Sequence, residues 1–313
     1  MTEVERFDDA SFAMRAFTRP SVIRAWLQDA DIRPNRLLGQ NFLIDGNILT
    51  ILLTAADICP ADRVLEVGPG VGALTAGLVD AEAYVVAIEK DARLLPLLAA
   101  HLPVGERLKI LCGDALDLVE DVLARERINK FVANLPYTPG TRILVDVVTS
   151  TRRPAQIAVM VQDEVARRIT ALPGTTDFGL LGLWCRNFYD VSYVKRVSPN
   201  CFWPRPQVQS AIVALRRRET PSIPEAGWPF FRHLTRQLFQ QRRKQMGHLL
   251  TVLYPQASDR GKMAFALLPE IYRHLRPEAL PLDVWYALSE NMRMHFEHEK
   301  AMLDGEEGAD HGW

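Results

Sequence analysis

A short apolar run, Val64-Leu65-Glu66-Val67, feeds straight into Gly68-Pro69-Gly70-Val71-Gly72, and an apolar helical pattern follows from Ala73 to Val79. A strand that must turn at once into a helix through a glycine loop has few destinations. It reads as a βα unit of a parallel sheet, with the loop at the strand's C-terminal end. The chain keeps this alternation. Tyr84 to Ile88 reads as a second strand ending at Glu89, Leu108 to Leu111 as a third ending in Gly113-Asp114, Phe131 to Ala133 as a fourth and Ile157 to Val161 as a fifth. Thr138 and Pro139 are expected as N-cap and first residue of a helix through Val148. Val191 to Val197 and Ala211 to Leu215 are expected to close the sheet as an antiparallel pair. The predicted fold class is α/β, a doubly wound Rossmann-like sheet with ligands at the strand C-termini. Pro221 and Pro224 mark a linker, beyond which Phe230 to Leu253 and Lys262 to Phe296 read as helices. The predicted organisation is an N-terminal extension (1–33), a sheet domain (34–219), a smaller α-helical C-terminal domain (220–302) and a disordered acidic tail (303–313).

The fourth strand runs into Asn134-Leu135-Pro136-Tyr137. This places an amide, a turn carbonyl and an aromatic face at one strand end, a set suited to holding a nucleobase by its exocyclic amine. Such an amine is a poor nucleophile, because its lone pair is delocalised into the ring. Donating both hydrogens to the Asn134 oxygen and the Leu135 carbonyl lets the nitrogen pyramidalise and offer that lone pair to an electrophile. Pro136 bends the chain so that the carbonyl points inward, and Tyr137 offers a stacking surface. A plain strand end entering a turn would use similar residues, so the tetrapeptide gains its meaning from its surroundings.

The formal net charge of −1 conceals a strong asymmetry. Residues 150–250 carry 16 Lys/Arg against 6 Asp/Glu, whereas residues 1–149 carry 15 against 21 and residues 251–313 carry 6 against 11. The middle block includes Arg216-Arg217-Arg218 and Arg242-Arg243-Lys244, an electrostatic footprint for a polyanion. Cys59, Cys112, Cys185 and Cys201 show neither C-x-x-C spacing nor metal-ligand partners, and read as reduced thiols of a cytoplasmic protein. The first residues are not those of a signal peptide, and no apolar run approaches the ~20 residues needed to span a bilayer. No role is assigned to His101, His233 or His248.

The glycine loop alone fits both a dinucleotide fold and an S-adenosylmethionine fold. Gly68 and Gly70 let backbone approach a ligand, and Glu89 can accept both hydroxyls of a ribose in either case. Asp114 separates the two readings, since it ends the third strand where an adenine amine would lie. The N-L-P-Y turn, unsuited to hydride transfer, is a second separator. Glu66 is expected to face the cofactor's amino-acid end.

Leu38-Gly39-Gln40-Asn41-Phe42-Leu43 precedes this unit and is too polar for a plain core segment. It is followed in order by L-E-V-G-P-G-V-G-A-L-T, I-E-K-D at Glu89, G-D-A at Asp114, N-L-P-Y, V-Q-D-E-V-A-R-R-I from Val161 and F-W-P-R-P-Q-V-Q-S-A from Phe202. In this series the chain resembles the small-subunit rRNA adenine N6,N6-dimethyltransferases (the KsgA family) over about residues 34–250. The resemblance implies that residues 34–219 form an S-adenosylmethionine-dependent methyltransferase domain and 220–302 an RNA-binding one. It implies that Asn41 and Leu43 close over S-adenosylmethionine, with Gly68 and Gly70 beneath it. Glu89 would hold the ribose, Asp114 the adenine amine, and Asn134 would stand between cofactor and target. Leu135 and Pro136 would shape the turn, and Tyr137 and Phe202 would sandwich the flipped adenine. Arg242, Arg243 and Lys244, read as helical, would grip RNA. The implied partner is 16S rRNA in an immature 30S subunit, the protein acting as a cytoplasmic monomer, away from membranes and without a metal.

The sequence departs from the family pattern in places. Gln207 and Gln209 stand where a Lys and an acid are usual, and Leu180 where an Arg is usual. Three other readings stay open: a 23S rRNA adenine methyltransferase, a DNA adenine methyltransferase, and a ribosome-assembly binding factor with secondary or lost methylation.

Overall fold

The computed structural model describes residues 17–35, 38–254 and 258–309, with side chains described to residue 297. The chain divides into two compact units, residues 1–167 with 189–217, and residues 168–188 with 218–313.

The first unit is built on a seven-stranded sheet of order β4-β3-β2-β5-β6-β9-β7. Here β2 is Arg63–Val67, β3 Tyr84–Glu89, β4 Leu108–Cys112, β5 Lys130–Asn134 and β6 Gln156–Gln162, all parallel. Strands β7 (Tyr189–Val197) and β9 (Ser210–Arg217) close one edge as an antiparallel pair, with β9 also antiparallel to β6. The near-continuous apolar runs of β2, β3 and β5 follow from burial on both faces, which helices impose on a parallel sheet. A separate two-stranded ladder joins β1 (Phe42–Leu43) to β8 (Phe202–Trp203), setting Leu43 opposite Phe202 and Phe42 opposite Trp203.

Two local devices fix the sheet's helices. Helix α2 (Gly46–Ala56) starts at Asp45, whose carboxylate accepts the Asn47 and Ile48 amides, and stops where Asp57 turns left-handed at φ 50°. Its last carbonyls, on Ala56 and Asp57, are captured by the buried Lys130 ammonium, which also pairs with Asp62 at 3.1 Å. The lysine is thereby satisfied at the N-terminal end of β5, far along the strand from Asn134.

Residues 17–33, set apart by sequence as an extension, belong to this first unit. Helix α1 (Pro20–Asp29) buries Ile23 and Leu27, one turn apart, in a cluster with Phe42, Val71, Leu94 and Leu97. Trp26 stacks on His101 with ring centroids 4.0 Å apart. The extension escapes recognition from sequence because its apolar positions have meaning only against the glycine loop and Phe42.

The second unit is helical. Residues 168–188, assigned by sequence to the sheet domain, group with it instead. The reason is aromatic packing: Trp184 and Phe188 of α8 (Leu180–Phe188) meet Trp228 edge-on, and the Trp184 indole donates to Thr235 Oγ1 at 3.0 Å. Asn187, fully buried, holds both the amide and the carbonyl of Ile223, pinning the proline-flanked linker. The helical readings of 230–253 and 262–296 are both interrupted, the second between Leu267 and Leu282. Helix α9 (Trp228–Gln240) and α10 (Met246–Leu253) flank an exposed turn that carries Arg242, Arg243 and Lys244.

Further boundaries differ from expectation. Thr138 is not a cap: α6 spans Gly140–Thr149 behind Pro139, and the Gly140 amide donates to the Pro136 carbonyl at 2.9 Å, so the N-L-P-Y turn itself launches the helix. Residues 303–309, expected to be disordered, continue the last helix, α12 (Leu282–Ala309), while 310–313 lie outside the described residues. Extending an existing helix carries no new nucleation cost.

Candidate active site

A cavity of about 290 Å³ opens at the carboxyl ends of β2, β3 and β5, where the strand order reverses. Its walls are the segment 38–43, the glycine loop, Glu89 and Lys90, Asp114 and the N-L-P-Y turn.

Gly68 and Gly70 adopt φ of 72° and 59°. A Cβ on Gly70 would also lie 2.9 Å from the Phe42 ring, so conformation and close packing both require glycine there. The loop is tied down by Glu89, whose two carboxylate oxygens accept the Gly70 amide at 3.1 Å and the Asp91 amide at 2.8 Å. Burial pushes the Glu89 pKa above the ordinary carboxylate range, and these backbone donors pull against that shift. Each oxygen keeps a lone pair for a ligand hydroxyl.

Behind Glu89 stands a contact that the sequence does not announce. Asp91 accepts the Gln40 side-chain amide at 2.8 Å and a forked pair of bonds from Arg93, which holds its pKa down to about 2. Gln40 thereby fastens the G-Q-N-F-L segment to the end of β3. Both residues lie inside motifs visible in the sequence, but nothing in the sequence links positions 51 residues apart.

Asp114 serves both the fold and the cavity. It caps helix α5 (Ala115–Arg125) by accepting the Leu116 amide at 3.0 Å, and it walls the cavity. Lys90 pairs with it at 2.6 Å and lowers its pKa.

Asn134 ends β5 with its amide nitrogen donating to the Asn41 carbonyl at 3.2 Å. That bond turns its Oδ1 toward the role of acceptor. The Leu135 amide donates to the Met160 carbonyl at 3.0 Å, while the Leu135 carbonyl makes no hydrogen bond among the described residues. The Tyr137 hydroxyl meets Ser210 Oγ at 2.8 Å, and burial pushes the phenol's pKa up.

Phe202 is placed differently from the expectation. It is 3% exposed, joins the core cluster that contains Leu43, Val132 and Met160, and is not among the residues lining the cavity. Its backbone pairing with Leu43 directs it there. Asn41 and Leu43 do line the cavity. In the second unit Arg242, Arg243 and Lys244 are all exposed, and none enters an ion pair among the described residues.

Glu66 lines the cavity yet is 1% exposed, and its Oε2 has no hydrogen-bond partner among the described residues. Burial, with the neighbouring Glu89 charge, pushes its pKa up to about 8. An unfolded glutamate releases its proton near 4.5, so between that pH and about 8 the native state binds the extra proton. This contribution to stability is complete below 4.5 and lost as pH rises to about 8, with a slope of at most about 1.4 kcal/mol per pH unit. Thermal melting of the unliganded protein across that range is expected to show the decline, and the Glu66→Gln variant to show a smaller one, since Glu89 keeps its own raised pKa.

These residues fit S-adenosylmethionine. Glu89 offers acceptors for ribose hydroxyls and Asp114 one for an adenine amine, while the orphaned Glu66 oxygen and the glycine loop suit a charged amino-acid arm. Among the described residues no group of His, Cys, Asp or Glu could hold a metal ion, and no helix is long and apolar enough to cross a membrane. The fold and the cavity define an S-adenosylmethionine-dependent methyltransferase.

The model of the ribosomal RNA adenine dimethylase family matches residues 32–266. The ribosomal RNA small subunit methyltransferase A of Protochlamydia amoebophila is 40% identical over 273 residues, 85% of this chain and 93% of the relative. Among solved structures, a dimethyladenosine transferase from Plasmodium falciparum shares the fold (TM-score 0.68, 23% identity, 79% of this chain and 95% of that one). The 23S rRNA methyltransferase ErmE superposes at a TM-score of 0.55 with 26% identity, over 81% of this chain and 100% of its own. The chain belongs to the ribosomal RNA adenine dimethylase family.

Proposed function

We propose that the protein methylates the N6 of two adjacent adenosines near the 3′ end of 16S rRNA, twice each, acting as a cytoplasmic monomer on an immature 30S subunit. The observation that carries this reading is the 40% identity, over 85% of this chain, to a small-subunit rRNA methyltransferase. A 23S rRNA target, suggested by the likeness to ErmE, has lower identity behind it. Loss of activity in favour of a pure binding role is opposed by the arrangement around Asn134, which leaves two acceptors for one amine.

The cofactor, when bound, supplies a methyl group already activated as an electrophile. The protein's own residues then have to position and to release a lone pair. Asn134 Oδ1 and the Leu135 carbonyl accept the two amine hydrogens, drawing the nitrogen out of conjugation. Tyr137 stacks the flipped base, and base stacking worth about 1–3 kcal/mol offsets much of the few kcal/mol needed to extrude it. A proton acidified by the transfer can leave to water, so no general base is required before attack.

Mass spectrometry of rRNA from cells lacking the protein tests the assignment. Dimethyladenosine should vanish from 16S rRNA and return on complementation; a mark missing from 23S rRNA instead would overturn it. The same preparation gives an RNA-binding arm. Because Arg242, Arg243 and Lys244 occupy an exposed turn, they escape the ~200° spread that a helix would impose on consecutive residues. Reversing Arg242 and Arg243 to Glu should weaken pre-30S binding and flatten the log–log salt dependence by about two units. An unchanged slope would move the RNA contact to Arg205 and the 216–218 cluster.

A further inference from the structure

We infer that Ser210 is a positioning residue for methyl transfer, its hydroxyl holding the Tyr137 phenol so that the ring presents a fixed face to the target base. The inference rests on the reading of Tyr137 as the stacking platform.

Ser210 is an unusual choice for its place. It is 0% exposed at the start of β9, hydrogen-bonded into the sheet between two neighbours, opposite Gln162 of β6 and Val197 of β7. A polar hydroxyl in such a slot is unfavourable unless it has a partner, and a small apolar residue would fill the space without that demand. Its partner is the Tyr137 hydroxyl at 2.8 Å, and that is the one hydrogen bond the phenol makes among the described residues. The two ends of this bond differ in firmness. The Ser210 backbone is fixed by strands on both sides, and the preceding residue, Gln209, takes the Asp163 amide at 2.9 Å. Tyr137 lies in a turn between β5 and α6, outside any ladder, so its ring takes its orientation from the bond and from packing.

The bond also completes a frame. Asn134 reaches the Asn41 carbonyl, Leu43 lies opposite Phe202, and the chain from Phe202 returns at Ser210 to Tyr137. The cofactor-side segment and the target-side ring are therefore anchored to the same stretch, residues 202–210. Gln207 and Gln209, where the sequence departs from its family, are exposed within that stretch and leave the anchoring untouched.

The test measures turnover on pre-30S particles for Ser210→Ala, Tyr137→Phe, their combination and Tyr137→Ala, with S-adenosylhomocysteine affinity measured beside each. Loss of one neutral hydrogen bond should lower kcat/KM by about 2- to 10-fold in either single variant. The double variant should lose no more than the larger single loss, because both changes remove one bond. Cofactor affinity should stay at the wild-type value. Full turnover in Ser210→Ala, losses that multiply in the double variant, or a parallel loss of cofactor binding would each overturn the inference. If Ser210→Ala does not fold, Tyr137→Phe decides alone: undiminished turnover overturns the inference. Tyr137→Ala separates the two levels. Retained activity there removes the stacking reading itself, whereas its loss alongside a fully active Ser210→Ala defeats only the role of Ser210.

Discussion

Replacing Asn134 with alanine is expected to lower kcat by roughly 100- to 1,000-fold while leaving the affinities for S-adenosylhomocysteine and for pre-30S particles near the wild-type values. The size follows from what the side chain does. Its Oδ1 is one of two acceptors for the target amine, and the charge it stabilises develops only as the amine lone pair engages the methyl group. Interactions that strengthen in the transition state appear in kcat and not in binding. The variant also loses the bond to the Asn41 carbonyl, a half-buried contact at 3.2 Å whose absence should soften the cofactor-side segment modestly. Single-turnover kinetics at saturating cofactor separates the two effects. If turnover, cofactor binding and the cooperative melting transition all collapse together, Asn134 is a structural residue at a strand end and the catalytic role assigned to it falls.

The parts of this site differ in how legible they were. Strand and loop placements came directly from short-range signals. A parallel strand buried on both faces must be apolar along its length, and a strand entering a helix through Gly68 and Gly70 has one kind of loop available. Glu89 and Asn134 were placed because each closes such a strand, and Asp114 because it follows the edge strand β4 at the start of a helix. What stayed hidden depends on contacts between distant positions. Gln40 meets Asp91, Tyr137 meets Ser210, and α1 packs on Val71 and Phe42, none of which leaves a periodicity or a spacing in the chain. Phe202 shows the opposite case. Its motif pointed to a stacking face, but an antiparallel bridge to Leu43 buries the ring in the core. The helical placement of the basic cluster failed for a local reason: the apolar pattern on both sides favoured one helix, and the turn at residues 241–245 interrupts it without a Pro or Gly to announce the break.

The second large effect concerns Glu89, and its size comes from serving two masters. Its carboxylate is proposed to hold the ribose, and it already holds the glycine loop through the Gly70 amide and the following turn through the Asp91 amide. Alanine at this position removes charge-assisted bonds to the ligand worth about 1.5–3 kcal/mol each and frees the loop that must lie beneath it. Cofactor affinity should therefore fall by at least about 10- to 150-fold. Glutamine is expected to recover only part of this, since its NH2 must face one of the two backbone N–H donors where an oxygen is needed. Acid adds an independent check. Because burial raises the Glu89 pKa, lowering the pH should weaken cofactor binding earlier than an ordinary carboxylate would allow, and Glu89→Gln should remove that dependence. Calorimetric titration of S-adenosylhomocysteine into each variant reads both effects. An alanine variant that binds the cofactor like the wild type would place the ribose elsewhere in the cavity, leaving Glu89 as a loop anchor alone.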